Sequence, residues 1–178
     1  VANAGDAKFD GAYVGGQASY SSAEIDATIP GFGSGSVDAD GFGGGVFGGY
    51  GKTFGNWYVG GELSADYSKL EGSLNGIDGD AKKQFGYGAA VRGGYLVTPK
   101  VLAYGVVGIE RGKFKAKDDL GESLSGTLTG YRVGAGAETF ITDNISARAE
   151  VNYSDWQDKG IIDGVKEWRA NVGVAYHF

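Results

Sequence analysis

Apolar and polar residues alternate along several stretches of this chain, and this alternation constrains the fold more than any other feature. From Trp57 to Tyr67 the odd positions carry mainly large apolar residues, whereas the even positions include Glu62, Ser64 and Asp66. Successive side chains of a β-strand point to opposite faces. The pattern therefore predicts a strand with one apolar and one polar face.

The same alternation recurs along the chain and predicts an all-β protein. With 35 glycines in 178 residues, a helical bundle is excluded, because each interior glycine costs a helix about 1 kcal/mol relative to alanine. In the fifth strand both faces are apolar up to Ile109, and only Glu110 assigns the even positions to the polar face. We predict eight strands near 11–21, 41–51, 57–67, 84–97, 101–115, 131–138, 145–153 and 168–178.

The links between these strands alternate in length. Short links are predicted at 52–56, 98–100 and 141–144, and long ones near 22–39, 71–81, 116–122 and 155–164. Strict alternation places every short turn, and both termini, at one end of a meander. We therefore predict a single domain over 1–178, an eight-stranded antiparallel up-and-down β-barrel, preceded by a short N-terminal segment at 1–8.

An amphipathic meander forms either a soluble barrel with an apolar interior or a membrane barrel with an apolar exterior. Aromatic residues of the apolar face occur near strand ends, with small aliphatic residues between them, which is typical of the two aromatic girdles of a transmembrane barrel. We therefore favour the membrane barrel, with soluble ligand-binding barrels as the remote alternative. The predicted girdle comprises Tyr20, Tyr50, Trp57, Tyr67, Tyr95, Tyr153, Trp168 and Tyr176.

The polar face combines glycines with isolated charges and contains no lysine, which suits the crowded inside of a small barrel. The predicted lumen charge network is Glu62, Asp66, Arg92, Glu110, Arg132, Glu138, Arg148, Glu150 and Arg169. Glu62 and Arg92 are expected at similar depth, and Glu138, Arg148 and Glu150 are expected to gather across the 141–144 turn. Such pairs hold a barrel together or, alternatively, line a gate or narrow pore. Inward aromatic residues and the single histidine are predicted to plug the half near the short turns: Tyr13, Phe47, Tyr58, Phe140 and His177.

Several classes of function are disfavoured by composition. The chain has no cysteine, and its net charge of −6 without a basic run argues against a nucleic-acid partner. No cofactor or metal site is expected, and no enzyme activity, because His177 is placed inward at the short-turn end. The absence of methionine and the residues Ala2-Asn3-Ala4 predict that a secretory signal peptide has been removed.

The order of the strand motifs and the terminal aromatic residues resemble a known family. The supporting stretches are Gly11-Ala12-Tyr13-Val14-Gly15-Gly16, Gly48-Gly49-Tyr50, Gly134-Ala135-Gly136-Ala137-Glu138, and 143–150. With Tyr176 and Phe178 ending the last strand, the chain resembles the small eight-stranded outer-membrane β-barrels of Gram-negative bacteria, including opacity-like surface antigens and the transmembrane domain of outer membrane protein A. The resemblance implies an outer-membrane location, periplasmic termini, extracellular long loops, contact with membrane lipid, and recognition of the C-terminal strand by the outer-membrane assembly machinery.

The sequence thus predicts an integral outer-membrane protein with a structural or surface-interaction role. Its lumen is expected to be largely closed by side chains. The extracellular loops are expected to meet a host or cell-surface ligand, with Ile29 and Phe32 of the first long link as candidate contacts. The alternative is a narrow pore for small solutes or ions.

Overall fold

The computed structural model describes residues 8–29, 33–71, 82–117, 123–157 and 165–178. They form strands β1 (Gly11–Ile29), β2 (Gly33–Phe54), β3 (Trp57–Glu71), β4 (Lys82–Thr98), β5 (Val101–Lys117), β6 (Ser123–Phe140), β7 (Ile145–Gln157) and β8 (Val165–His177). No helix within these residues is long and apolar enough to cross a membrane.

Each strand pairs antiparallel with its neighbours in sequence, and β1 pairs with β8 to close the barrel. Gln17 of β1, for example, lies opposite Gly45 of β2 and Gly173 of β8. The predicted eight-stranded antiparallel barrel is therefore confirmed.

Three tight turns lie at one end of the barrel, which we call the short-turn end. In the first turn Gly55 adopts a φ of 64°, the left-handed region that glycine enters without steric cost. The second turn contains Pro99 and Lys100, and in the third the Ile141 amide donates to the Ile145 carbonyl at 2.8 Å. The opposite end, where 30–32, 72–81, 118–122 and 158–164 join the strands, is the long-link end.

The strands extend further toward the long-link end than the sequence indicated. Most of the predicted 22–39 link is strand, because the β1–β2 ladder continues to the Ile29–Gly33 pair. Its glycine, serine and aspartate content favoured a loop, but the paired backbone satisfies its own hydrogen bonds. At the same end, residues 71, 116–117 and 155–157 are also in strands, and at the short-turn end residues 52–54 of the first predicted short link belong to β2. The remaining parts of the predicted long links lie outside the described residues.

Side chains alternate between a buried and an exposed face. In β5, Leu102, Tyr104, Val106 and Glu110 are buried, so the even positions face inward as predicted. The outward face is apolar and exposed on strand after strand, which is the arrangement of a barrel surrounded by lipid.

Exposed aromatic residues form two belts on the outer face. Trp57 packs on Tyr95 near the short turns, with ring centroids 5.3 Å apart, and Tyr153 packs on Trp168 toward the long-link end at 5.2 Å. Trp57 and Tyr67 are ten positions apart on β3. At about 3.3 Å per residue and a tilt of about 40°, this corresponds to about 25 Å across the membrane, the height of an outer-membrane apolar band. All eight predicted girdle residues lie on the outward face, although β1 continues past Tyr20 to Ile29.

Candidate functional site

An aromatic cluster occupies the interior at the short-turn end. Phe9 is only 1% exposed, and its ring centroid lies 4.8 Å from that of Phe140 and 6.3 Å from that of Tyr58. All five residues predicted to plug this half are buried: Tyr13, Phe47, Tyr58, Phe140 and His177. Phe9 was not anticipated, because it precedes the first strand and has no alternation to assign it a face.

Two polar contacts fasten the segment that carries Phe9. The Lys8 ammonium donates to Asp143 of the 141–144 turn at 2.8 Å, and the Thr53 amide donates to the Asp10 carboxylate at 2.6 Å. The hydrogen bond from Lys8 and its positive charge lower the pKa of the exposed Asp143 carboxyl. These contacts hold Phe9 across the short-turn mouth of the barrel.

Arg92 is the centre of the interior network. It is 1% exposed, and its guanidinium donates to Glu138 at 2.6 Å and to Glu62 at 3.4 Å. The guanidinium carbon also lies 3.9 Å from the centroid of the Tyr104 ring, within the range of a cation–π interaction. Glu62 and Arg92 therefore meet, while the shorter ion pair of Arg92 is with Glu138.

Arg148 extends the network toward the long-link end. It donates to Glu62 and to the side-chain oxygen of Gln17, each at 2.7 Å, and Gln17 donates to Asp66 at 2.9 Å. A chain of hydrogen bonds thus crosses the interior and connects β1, β3 and β7. Cooperative networks of this kind rigidify a structure when every member has a partner.

The predicted gathering of acids beside Arg148 is only partly what the structure shows. Glu138 and Arg148 are direct register partners of β6 and β7. Their ion pairs are nevertheless made with other residues, because the barrel interior brings Arg92 and Glu62 of other strands closer. Glu150 accepts from Tyr104 at 2.9 Å and from Asn152 at 2.7 Å.

The interior near the long-link end is more polar. Arg132 donates to Glu110 at 3.0 Å, and Arg169 contacts Glu110 at 3.4 Å and Glu167 at 2.9 Å. Beside them lies a cavity of about 20 Å³ lined by residues that include Ser19, Asp66, Ser68, Gly86, Glu110 and Arg169. The network members predicted from sequence all lie on the inward face.

Inward glycines make room for the interior rings. A Cβ on Gly49 would meet the Tyr13 ring, one on Gly51 would meet the Tyr58 ring, and one on Gly136 would lie 2.8 Å from the Tyr104 hydroxyl. Tyr104 was not predicted as a site residue, although Glu110 assigns the even positions of β5, Tyr104 among them, to the interior. Asn171, at 2% exposure, was also missed because asparagine carries no charge signal.

His177 does not form a hydrolytic site with its neighbours. Its Nε2 atom lies 3.0 Å from both Ser146 Oγ and Glu138 Oε1, and Ser146 donates to the same carboxylate at 2.6 Å. A serine–histidine–acid triad needs the acid on the other ring nitrogen, and Ser146 is fully buried. Among the described residues no group of His, Cys, Asp or Glu is arranged to hold a metal ion.

The candidate loop contacts are the least defined of the predicted site residues. Ile29 is the last residue of β1, with its side chain outside the described set, and Phe32 lies outside the described residues.

A closed antiparallel barrel with an apolar exterior, two aromatic belts and an ion-paired interior defines a transmembrane β-barrel protein. Residues 1–178 match the model of the outer membrane protein beta-barrel domain, and the chain belongs to that family. It is an outer-membrane protein of the Gram-negative type.

Relatives agree with this assignment. Over 58 residues, 33% of this chain, it is 47% identical to the 22 kDa outer membrane protein of Rhizobium leguminosarum bv. viciae, and the match spans 27% of that protein's length. Its fold is similar to that of Ail, the attachment invasion locus protein of Yersinia pestis, in complex with the heparin analogue sucrose octasulfate. The TM-score is 0.56 at 22% identity over 95% of this chain and 99% of Ail.

The fold is also shared with an enzyme. The outer membrane enzyme PagL is similar with a TM-score of 0.57 at 17% identity, over 87% of this chain and 97% of PagL. At this level of identity the likeness concerns the fold alone. The family and the neighbouring structures are therefore compatible with structural, adhesive and enzymatic barrels.

Proposed function

We propose that this protein is a surface-interaction barrel whose interior is closed to solutes and whose strands display recognition segments at the long-link end. The observation that carries the proposal is the contrast between a packed interior and a projecting β-ribbon. The outer-membrane family supplies the location; the function rests on the geometry of this chain.

The packed interior supports a closed lumen. Phe9, Tyr13, Tyr58 and Phe140 are each at most 8% exposed at the short-turn end. Behind them Arg92 is held by two carboxylates and a ring. Opening a water path would separate these charges from their partners, which costs several kcal/mol for a buried pair.

The projecting β-ribbon supports a recognition role. β1 pairs with β8 only as far as Ile25–Val165, and β3 pairs with β2 only as far as Asp40–Glu71, while the β1–β2 ladder continues to Ile29–Gly33. Within the described residues, the outer part of this ribbon has no neighbour on either edge. Exposed strand edges offer unpaired backbone groups to an extended partner. The candidate ligand contacts predicted from the sequence, Ile29 and Phe32, belong to this ribbon and to the link beyond it in the sequence.

A ribbon deletion tests recognition. Residues 26–36 can be replaced by Asn-Gly, because Ile25 and Val37 are register partners and a two-residue turn joins them without moving the ladder. We expect cells displaying the shortened barrel to lose binding to a host-cell or extracellular-matrix surface. Replacement of 118–122 by Asn-Gly is the matched control and should retain binding. Equal binding by the shortened and full-length barrels would contradict the proposal.

Conductance measurements distinguish the closed lumen from the alternative, a narrow pore. We expect the full chain in planar bilayers to show no stable single-channel step. A reproducible conductance that changes when Arg92 is replaced by alanine would establish the pore instead. The two tests are independent, because a closed barrel can fail to bind and a pore can still adhere.

We further propose that the protein is not an enzyme. The sole histidine of the chain is buried beside Ser146 with the acid on the wrong ring nitrogen. A carboxyl-ester substrate assay on the folded barrel should show no turnover, and turnover that is lost on Ser146→Ala would contradict this.

We also propose the orientation and the assembly signal of the barrel. The short-turn end, with the 1–8 segment, faces the periplasm, and the long links face outward. Tyr176 and Phe178 are 48% and 74% exposed on the outward side, with ring centroids 5.2 Å apart. An exposed aromatic pair on the final strand is accessible to the assembly machinery before the barrel closes. Surface proteolysis of intact cells tests the orientation. The amount of Phe178→Ala that assembles into the outer membrane tests the assembly signal.

A further inference from the structure

The outward face of β5 changes from apolar to basic along its length. Val107 and Ile109 are 58% and 51% exposed, and the next outward positions are Arg111 and Lys113, which are also exposed. Lys115 and Lys117 follow at alternate positions in the sequence of the same strand. Basic residues at successive outward positions of one strand are unexpected in a chain with a net charge of −6.

Hydroxyl residues line the neighbouring strand beside these cations. Thr129 of β6 lies opposite Arg111, and Thr127 lies opposite Lys113, and both threonines are exposed. Cross-strand partners are about 5 Å apart, and alternate positions of one strand are about 7 Å apart. Arg111, Lys113, Thr127 and Thr129 therefore form a compact square of two cations and two hydroxyl groups, which we call the β5–β6 basic patch.

The β5–β6 basic patch adjoins the aromatic belt of the long-link end. On β4, Tyr87 lies opposite Arg111 and Phe85 lies opposite Lys113. Tyr131 of β6, which lies opposite Ile109, is 65% exposed. Aromatic belts mark the level at which the hydrocarbon region meets the polar headgroups. The basic patch consequently begins at headgroup level and faces sideways from the barrel.

We propose that the β5–β6 basic patch binds the anionic phosphate groups of lipid headgroups in the leaflet at the long-link end. Guanidinium, ammonium and hydroxyl groups all donate hydrogen bonds to phosphate, and the square matches the size of one such group. This inference does not depend on the proposed recognition role of the β1–β2 ribbon.

The distribution of acidic residues favours a lipid over a soluble polyanion. The segment 118–122, which follows the basic positions of β5, carries Asp118, Asp119 and Glu122. The patch faces sideways beside the aromatic belt, so a lipid headgroup reaches it from within the leaflet, whereas a soluble polyanion would approach a chain with a net charge of −6. On the next strand, the outward carboxylate Asp155 lies opposite Tyr131 of β6 on one side and Lys166 of β8 on the other.

Binding of defined lipids to the refolded full chain tests the proposal. The probes are bis-phosphorylated lipid A in mixed detergent micelles, its enzymatically dephosphorylated form, and soluble heparin. Native mass spectrometry gives the bound fraction, and heat-modifiable migration verifies that each variant is folded. The test variant is Arg111→Gln with Lys113→Gln, and the matched control is Lys52→Gln with Lys100→Gln, two exposed lysines of the short-turn end.

We expect the test variant to bind phosphorylated lipid A about 30-fold more weakly, because each cation near an anionic surface contributes about fivefold. The control should bind as the wild type does, and dephosphorylated lipid A should bind weakly to all three proteins. Arg111→Lys with Lys113→Arg preserves the charges and should retain most of the binding. Equal binding by the test and control variants overturns the proposal. Heparin binding that depends on the patch, without lipid A binding, also overturns it and assigns the surface to a soluble polyanion.

Discussion

The two halves of the barrel interior use charged residues in different surroundings. Near the short turns, Arg92 lies between carboxylates and rings, with Phe9, Tyr58 and Phe140 buried toward the mouth. Near the long-link end, Arg169 lies beside a cavity among serines and is the most exposed of the interior arginines, at 13% for its side chain. The same kind of ion pair should therefore contribute differently to stability, because desolvation differs between the two sites.

The largest expected effect comes from replacing Arg92 by methionine, which removes the charge but keeps an unbranched side chain. Glu138, Glu62 and the Tyr13 hydroxyl each lose a hydrogen-bond partner in a buried site, so we expect unfolding to become easier by about 3–5 kcal/mol. Equilibrium urea unfolding in phospholipid vesicles, followed by tryptophan fluorescence, measures the change. Arg169→Met is the matched variant, with a smaller expected loss, because Glu110 keeps Arg132 as a partner. Equal losses would show that the surroundings do not distinguish the halves.

Truncation of Phe9 tests whether the N-terminal segment is part of the short-turn core. Phe9→Ala removes a buried ring that contacts Phe140 and Tyr58, and we expect a loss of about 3 kcal/mol. The same unfolding assay measures it, with Lys8→Ala as a control that leaves the ring in place and should cost much less. An unchanged midpoint for Phe9→Ala would mean that the segment is not docked in the membrane-inserted barrel.

Alanine substitutions at two adjacent glycines distinguish the effect of interior packing on stability from the effect of the backbone. A Cβ on inward-facing Gly94 would lie 2.8 Å from Tyr104 Cβ and 2.5 Å from the Ala103 carbonyl oxygen, whereas one on outward-facing Gly93 meets nothing within 4 Å. We expect Gly94→Ala to destabilise the barrel by about 1–3 kcal/mol and Gly93→Ala to be neutral or slightly stabilising. Midpoints of heat-modifiable migration on gels compare the two. Similar midpoints would indicate that the interior yields to an added methyl group.

The smallest expected effect concerns the exposed contact of Lys8 with Asp143. The pKa of Asp143 is lowered in the folded protein, so the contact stabilises the fold above the ordinary carboxyl pKa and this contribution is lost as the pH falls through the folded value. Asp143→Asn should therefore lower the midpoint of thermal unfolding slightly at pH 7 and by less at pH 3. A larger difference at pH 3 than at pH 7 would contradict the sign of this linkage.

The sequence was most informative where one face of a strand is continuous. The odd–even pattern of β3 and the single Glu110 in β5 were enough to assign inward and outward positions, because a one-residue slip would move every side chain to the other face. The pattern was least informative at the β1–β2 ribbon, where glycine and serine obscure the alternation. Phe9 was unpredictable for a related reason, since a residue outside the strands takes its position from the mouth that it covers.

The interior network shows the same division. The alternation within each strand was enough to identify the inward-facing charged residues. It was not enough to identify their ion-pair partners. Glu138 is opposite Arg148 in the ladder and yet binds Arg92, because side chains in a narrow barrel reach across the lumen to strands distant in sequence.

By itself, the sequence determined the strand number, the order of the strands and which face of each strand meets lipid. These properties follow from local alternation and link length, which each segment carries without reference to the rest. Only the tertiary structure decided which arginine meets which carboxylate, where Phe9 docks, and that Arg111 and Lys113 stand beside Thr129 and Thr127. Those contacts depend on barrel closure and inter-strand register, and neither is a property of any one segment.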